Sequence, residues 1–148
     1  IRGANVIDGY ENNVEANRDA FFGDWFRTGD QGRIDGDGYL QLTGRLKELI
    51  NRGGEKISPR EVDEVMIQCP GVLEAVTFGV PHNSWGEEVE AAAVIDGETT
   101  EAKIINFCKE KLSAFKVPKK VHIVDVIPKT ATGKIQRRVV AAQFTKKR

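Results

Sequence analysis

Apolar and polar positions change their period several times along the 148 residues, and each change marks an element. A helix is expected from residue 58. Ser58 can cap it, Pro59 tolerates the first helical position, Glu61 completes a capping box, and Val62, Val65 and Met66 follow at helical spacing. Pro70-Gly71 ends that pattern. Two apolar, β-branched runs at 72–80 and 89–95 read as strands around a polar loop at 81–87. A second helix is expected over 100–112, with Ile104, Ile105, Phe107, Cys108 and Leu112 on its buried side. Residues 120–127 alternate as a strand and 128–133 form a loop. Residues 135–144 form a last helix with Ile135, Val139 and Ala142 on one face. Helix, strand, strand, helix, strand, helix makes a compact α+β domain of about a hundred residues.

The first 44 residues have a different pattern. They are β-rich, with one short helix near 13–20, and the segments 31–34 and 39–43 flank Asp35-Gly36-Asp37-Gly38 as a hairpin signal. Asn51-Arg52-Gly53-Gly54-Glu55-Lys56 reads as a charged, glycine-rich loop. Residues 1–44 cannot close a core of their own, so they are expected to be the tail of a preceding domain, with the α+β domain at 45–148. The start, Ile1-Arg2-Gly3-Ala4-Asn5, has neither an initiator Met nor a signal-peptide pattern, which points to a piece of a longer, non-secreted protein.

Composition narrows the class. Hydrophobic residues are 40% and charged residues 30%, a globular balance, and no apolar run approaches the ~20 residues of a membrane span. Cys69 and Cys108 are too few and too separated for a disulfide framework or a zinc site, and read as two buried thiols in a reducing compartment. The formal net charge of zero hides an asymmetry. Residues 109–148 hold twelve Lys or Arg against Glu110 and Asp125, a net of +10, which leaves −10 for the rest. A polyanion or a solvated face would each account for this, but the scarcity of interleaved aromatics argues against nucleic acid.

Several motif matches fail. Pro128-Lys129-Thr130-Ala131-Thr132-Gly133-Lys134 lacks the first glycine of a phosphate loop and is followed by Ile135 where Ser or Thr is required. Asp35 to Gly38 lacks the ligands and closing Glu of a calcium loop, and no GxGxxG is present. His82 and His122 have no partner at metal or triad spacing and read as structural. Four segments remain, in a fixed order. Trp25-Phe26-Arg27-Thr28-Gly29-Asp30 ends in a carboxylate suited to a ribose diol, and Gly44-Arg45-Leu46-Lys47 lies at the domain boundary. Gly53-Gly54-Glu55-Lys56 lets a ligand approach the backbone closely, and in Pro128 to Arg138 the lysine at 134 stands between a small, polar loop and a helix.

Together these segments resemble the C-terminal motifs of the adenylate-forming superfamily, which holds acyl-CoA synthetases, adenylation domains and luciferases. The runs 47–59 and 128–138 look most like the oxalate-CoA ligase and peroxisomal CoA-synthetase branch, which is related to 4-coumarate-CoA ligases. The resemblance implies a small lid domain with a mainly antiparallel sheet and three helices. It also implies ATP (leaving as AMP) and CoA as substrates beside a small carboxylate, and Mg2+ accompanying ATP without a ligand in this segment. In that frame Asp30 holds the ribose hydroxyls, and Arg45 reaches the same nucleotide. Lys47 is the hinge, where many relatives have Asp. Lys134 bridges the attacking carboxylate and the α-phosphate. Gly53, Gly54, Glu55 and Lys56 line the CoA pantetheine tunnel, and Lys109, Lys116 or Lys119 is a candidate for the CoA nucleotide phosphates. Asn51 replaces a lysine of the coumarate ligases and luciferases, so no nucleotide contact is carried to it.

The expected activity is therefore an AMP-forming acid–thiol ligase. This segment should be inactive without the large domain that carries the glycine-rich phosphate motif and the acyl pocket. An adenylation domain that loads a carrier protein and a non-catalytic lid-like binding module are the alternatives. The ending Lys146-Lys147-Arg148 is not a Ser-Lys-Leu signal, so the cytoplasm is the default location and the peroxisome the alternative.

Overall fold

The computed structural model describes residues 1–145; Lys146-Lys147-Arg148, on which the targeting reading rested, lie outside the described residues. The chain divides into two compact units, Ile1–Lys47 and Glu48 onward. The first contains α1 (Val14–Ala20), β1 (Phe21–Phe22), β2 (Trp25–Phe26), β3 (Asp30–Ile34) and β4 (Leu40–Arg45). Asn13 caps α1 by accepting the Ala16 N–H at 3.0 Å. β3 and β4 form the expected hairpin, whose loop is closed by the Asp35 carboxylate accepting from the N–H groups of Asp37 and Tyr39. No residue before Ile50 is buried, and Ile34, Tyr39 and Leu40 stand exposed on the hairpin. This unit has no core of its own, as its sequence implied.

The second unit contains β5 (Ile50–Arg52), β6 (Glu55–Ile57), α2 (Pro59–Met66), β7 (Val72–His82), β8 (Gly86–Ile95), α3 (Glu101–Lys111), β9 (Lys120–Ile123) and α4 (Arg137–Thr145). Its sheet runs β6-β5-β8-β7, with β9 also beside β8, and every pairing is antiparallel except β8 with β9. Alternate positions of β7 and β8 feed two cores. Ala75, Val89, Ala91 and Ala93 pack with Val62, Met66, Ile104 and Cys108 from α2 and α3. Val76, Phe78, Val80 and Ala92 pack with Ile127 and Val140 beside α4. The sheet is covered on both faces, which is why β8 reads as a continuous apolar run rather than an alternation. The α+β class, the mainly antiparallel sheet and its three helices follow the sequence reading.

Five local readings need correction, the first being the strand expected over 120–127, which ends at Ile123. The run 51–56 is not a loop but the β5–β6 hairpin, with Asn51 opposite Lys56 and Arg52 opposite Glu55. The loop expected at 81–87 shrinks to a tight turn, because β7 continues to His82 and pairs it with Gly86. There the His82 Nδ1 accepts the N–H groups of Ser84 and Trp85, each at 3.2 Å, and holds the turn. At α2, Ser58 occupies the N-cap without a side-chain cap bond. Glu61 accepts from Lys116 Nζ at 2.6 Å, and the Ser58 half of the expected capping box is missing. The last helix starts at Arg137, not 135, because Ile135 is engaged in a bridge with Lys129. Its inner face is consequently Val140 with Ala141 and Phe144, while Val139 is 44% exposed.

Candidate functional site

In the first unit, β3 and β4 set Asp30 directly opposite Arg45, and the Arg45 Nε donates to Asp30 Oδ1 at 2.7 Å. The Thr28 Oγ1 accepts the Asp30 N–H, fixing the turn that presents the carboxylate. An ionised carboxylate has about four lone-pair sites, so the Arg45 bond leaves acceptor capacity for a diol. Lys47 follows within a single turn of 3-10 helix, Leu46–Glu48.

In the second unit, Gly53 and Gly54 are the two turn residues of the β5–β6 hairpin, with φ of +59° and +95°. Positive φ at both positions belongs to the tight hairpin turns that glycine supplies without steric cost. The Gly53 N–H donates to the Trp85 carbonyl at 2.8 Å, and the Arg52 guanidinium lies over the Trp85 ring at 5.2 Å. Arg52 also forms a fork with the buried Glu88, Nε to Oε1 at 2.6 Å and Nη2 to Oε2 at 3.2 Å. Burial alone would raise the Glu88 carboxyl, but the bonds from Arg52 and from the Val89 N–H, with the charges of Arg52 and His82, bring it below its usual range.

Lys134 is exposed on a loop that its backbone closes twice. The Thr130 N–H donates to the Lys134 carbonyl at 2.8 Å, and the Lys134 N–H to Thr130 Oγ1 at 3.1 Å. At the loop base, the Gln136 N–H donates to the Pro128 carbonyl at 2.9 Å. Lys129 Nζ reaches Glu74 Oε1 at 2.6 Å, and Gly133 and Ile135 border a cavity together with Leu73 and Ala75.

These contacts locate the two segments within one unit. The glycine hairpin joins the sheet where Arg52 pairs with Gly86, at the turn end of the β7–β8 ladder. The Lys134 loop is tied near Glu74, at the other end. From Glu74 to His82 the strand spans roughly 26 Å at ~3.3 Å per residue. The structure therefore carries both segments on one unit but at opposite ends.

Sequence reasoning missed one prominent residue. Arg137 donates to Glu48 Oε2 at 3.1 Å, to Asp63 Oδ2 at 2.9 Å and to the Thr77 carbonyl. Burial pushes the Asp63 carboxyl above its usual range, although Arg137 and Thr77 oppose the shift. Three of the C-terminal cations are accounted for inside the unit, since Lys116, Lys129 and Arg137 pair with Glu61, Glu74, Glu48 and Asp63. Lys116 is thus committed to Glu61, whereas Lys109 and Lys119 border one cleft of about 450 Å³. His122 pairs with Glu90 at 2.8 Å and stacks on Phe144, a core role. Both cysteines are buried and free, and burial pushes the Cys108 thiol up to about 11, which rules out an activated nucleophile there. Among the described residues no group of three or more His, Cys, Asp or Glu is placed to hold a metal ion. No described helix is long and apolar enough to cross a membrane.

Residues 61–134 match the AMP-binding enzyme C-terminal domain. The chain belongs to that family. Among AMP-binding enzymes, it is 58% identical over 149 residues to the oxalate–CoA ligase of Arabidopsis thaliana, covering 99% of this chain and 29% of that protein. It is 56% identical to the oxalate–CoA ligase of Saccharomyces cerevisiae, covering 99% of this chain and 28% of that protein. The ATP-bound crystal structure of MatB from Rhodopseudomonas palustris aligns with a TM-score of 0.91 at 36% identity, over 97% of this chain and 29% of that one. The chain thus spans under a third of the length of these relatives.

Proposed function

We propose that this chain is the hinge and lid of an ATP-dependent acyl-CoA ligase. A carboxylate attacks the α-phosphate of ATP to give an acyl-adenylate and pyrophosphate; the CoA thiol then attacks the acyl carbon and AMP leaves. Asp30 and Arg45 hold the nucleotide, and Lys47 is the hinge. Lys134 stabilises the charge that develops between carboxylate and α-phosphate, and Gly53 to Lys56 line the path of the CoA thiol.

The carrying observation is the separation of Lys134 from the Gly53-Gly54 turn along the β7–β8 ladder. One rigid unit can present only one of these ends to a given reaction centre at a time. Two half-reactions that share a centre would need the unit to turn between them. Electrostatics favour the same reading for Lys134. A charge pair at ~4 Å gives about 1 kcal/mol in water but about 4 kcal/mol at an effective dielectric of ~20, so an exposed lysine gains effect when a lid closes over the site. The names of the relatives are those of CoA ligases, which disfavours carrier-protein loading and a non-catalytic module.

The full-length protein tests this directly. ATP–pyrophosphate exchange is measured with oxalate, cinnamates and fatty acids in parallel, followed by CoA thioester formation. Exchange and thioester formation with one of these acids is the expected result. Exchange without any transfer to CoA would overturn the ligase reading.

A further inference from the structure

We propose that Arg137 is a positioning residue for Lys134, holding the lysine loop in fixed register with the residue that follows the hinge. The proposal rests on the reading of Lys134 given above. Arg137 is the first residue of α4 and stands three positions after Lys134. Its side chain is only 17% exposed. The guanidinium joins three separate parts of the lid: Glu48, the residue after Lys47, Asp63 on α2 and the Thr77 carbonyl on β7.

The loop itself is a closed structure. Pro128 and Gln136 are bonded across its base, and Lys129 bridges Ile135 just above them. A closed loop moves as a body, so its aim depends on how the base is anchored. Arg137 supplies that anchor from the residue adjoining Gln136, and one of its three arms ends beside the hinge. Turning about Lys47 is thereby passed to Lys134 through a chain of charge-assisted bonds, rather than through the exposed loop. Arginine suits the task because its planar fork donates in several fixed directions, whereas a lysine ammonium is a point charge on a flexible stem. Catalytic electrostatics are steep in position, and a displacement of ~1 Å can cost about a hundredfold in rate.

The experiment uses the full-length protein with the acid that supports exchange in the wild type. Arg137→Lys, Arg137→Gln and Glu48→Gln are compared with Lys134→Ala as reference. Three quantities are read: kcat and KM for ATP in pyrophosphate exchange, thioester formation from supplied acyl-adenylate and CoA, and thermal unfolding. Arg137→Lys should lower kcat for exchange by about tenfold or more, with KM for ATP and the thioester step changed by less than about threefold. Glu48→Gln removes one arm and leaves the arms to Asp63 and Thr77 in place. It should lower the same kcat by about threefold without a matching loss of thermal stability. Parallel losses in both half-reactions that track thermal stability would overturn the proposal, as would unchanged exchange in Arg137→Lys and Glu48→Gln. If Lys134→Ala itself leaves exchange intact, the underlying reading of Lys134 fails, and the two failures are told apart. Should the Arg137 variants not fold, Glu48→Gln decides alone, because its side chain is 38% exposed and sits at one arm of the network.

Discussion

At the Gly86 end of the β7–β8 ladder, the Gly53-Gly54 turn is held by its backbone; at the Glu74 end, the Lys134 loop is closed by its own backbone but tied to the rest of the unit by side chains. Gly53 donates its N–H to a carbonyl, and a β-carbon there would lie 2.8 Å from the Trp85 ring. The lysine loop depends on the Thr130 hydroxyl, the Lys129–Glu74 pair and the Arg137 network. The first arrangement sets Gly53 against the Trp85 ring and leaves nothing within 4 Å of a β-carbon at Gly54. The second leaves one long, charged side chain free to be aimed. The two ends should therefore fail under different substitutions, and each failure should appear in a different half-reaction.

The largest effect is expected at the lysine end. Lys134→Ala should reduce acyl-adenylate formation by about 10²–10³-fold, the scale seen when one preorganised charge-stabilising group is lost. Thioester formation from supplied acyl-adenylate should survive. Equal loss of both half-reactions would erase the contrast between the two ends. A smaller and inverted effect is expected at the glycine end. Gly53→Ala must adopt a left-handed conformation at a cost of about 1–2 kcal/mol and must also displace Trp85. Gly54→Ala meets the same kind of strain, but no atom lies within 4 Å of its added carbon. Thioester formation should fall further in Gly53→Ala than in Gly54→Ala, with exchange nearly unchanged in both. Equal deficits would mean that Trp85 does not matter and that backbone strain alone governs the turn.

How much of this was legible in the sequence depended on where each partner lay. β7, β8 and α3 could be read because their apolar periods are local. The β5–β6 hairpin was not, because Asn51 to Lys56 has no apolar residue and its strands are fixed by Ile50, Ile57 and the edge of β8. The available signal was the Gly-Gly pair itself, two turn residues between flanking isoleucines. The face of α4 was misplaced because Ile135 is taken by a bridge, a non-helical pairing that helical periodicity cannot reveal. Arg137 was invisible for a related reason. Its partners at positions 48, 63 and 77 are 60 or more residues away along the chain. The charge asymmetry was visible, but its partial resolution inside the lid required the fold: three C-terminal cations meet acids from residues 48–74.

The smallest effect concerns the arginine-bound carboxylates near the two ends, which are expected to respond to pH with opposite sign. Asp63 has a folded-state pKa raised above 3.8, because burial outweighs Arg137 and Thr77. Its contribution to stability is complete below the unfolded value and is lost as pH rises through the folded one. Glu88 is buried too, but the Arg52 fork, the Val89 N–H and the nearby positive charges bring its pKa below 4.5. Its contribution is present above the unfolded value and is lost as pH falls through the folded one. Asp63→Asn should therefore be most costly in acid and least costly near neutrality. Glu88→Gln should be most costly near neutrality, and its cost should fade in acid. Denaturant unfolding of both variants and the wild type from about pH 3.5 to 7 would give two stability differences with opposite slopes. Slopes of the same sign would mean that the attraction of Arg137 outweighs the burial of Asp63, as that of Arg52 does at Glu88.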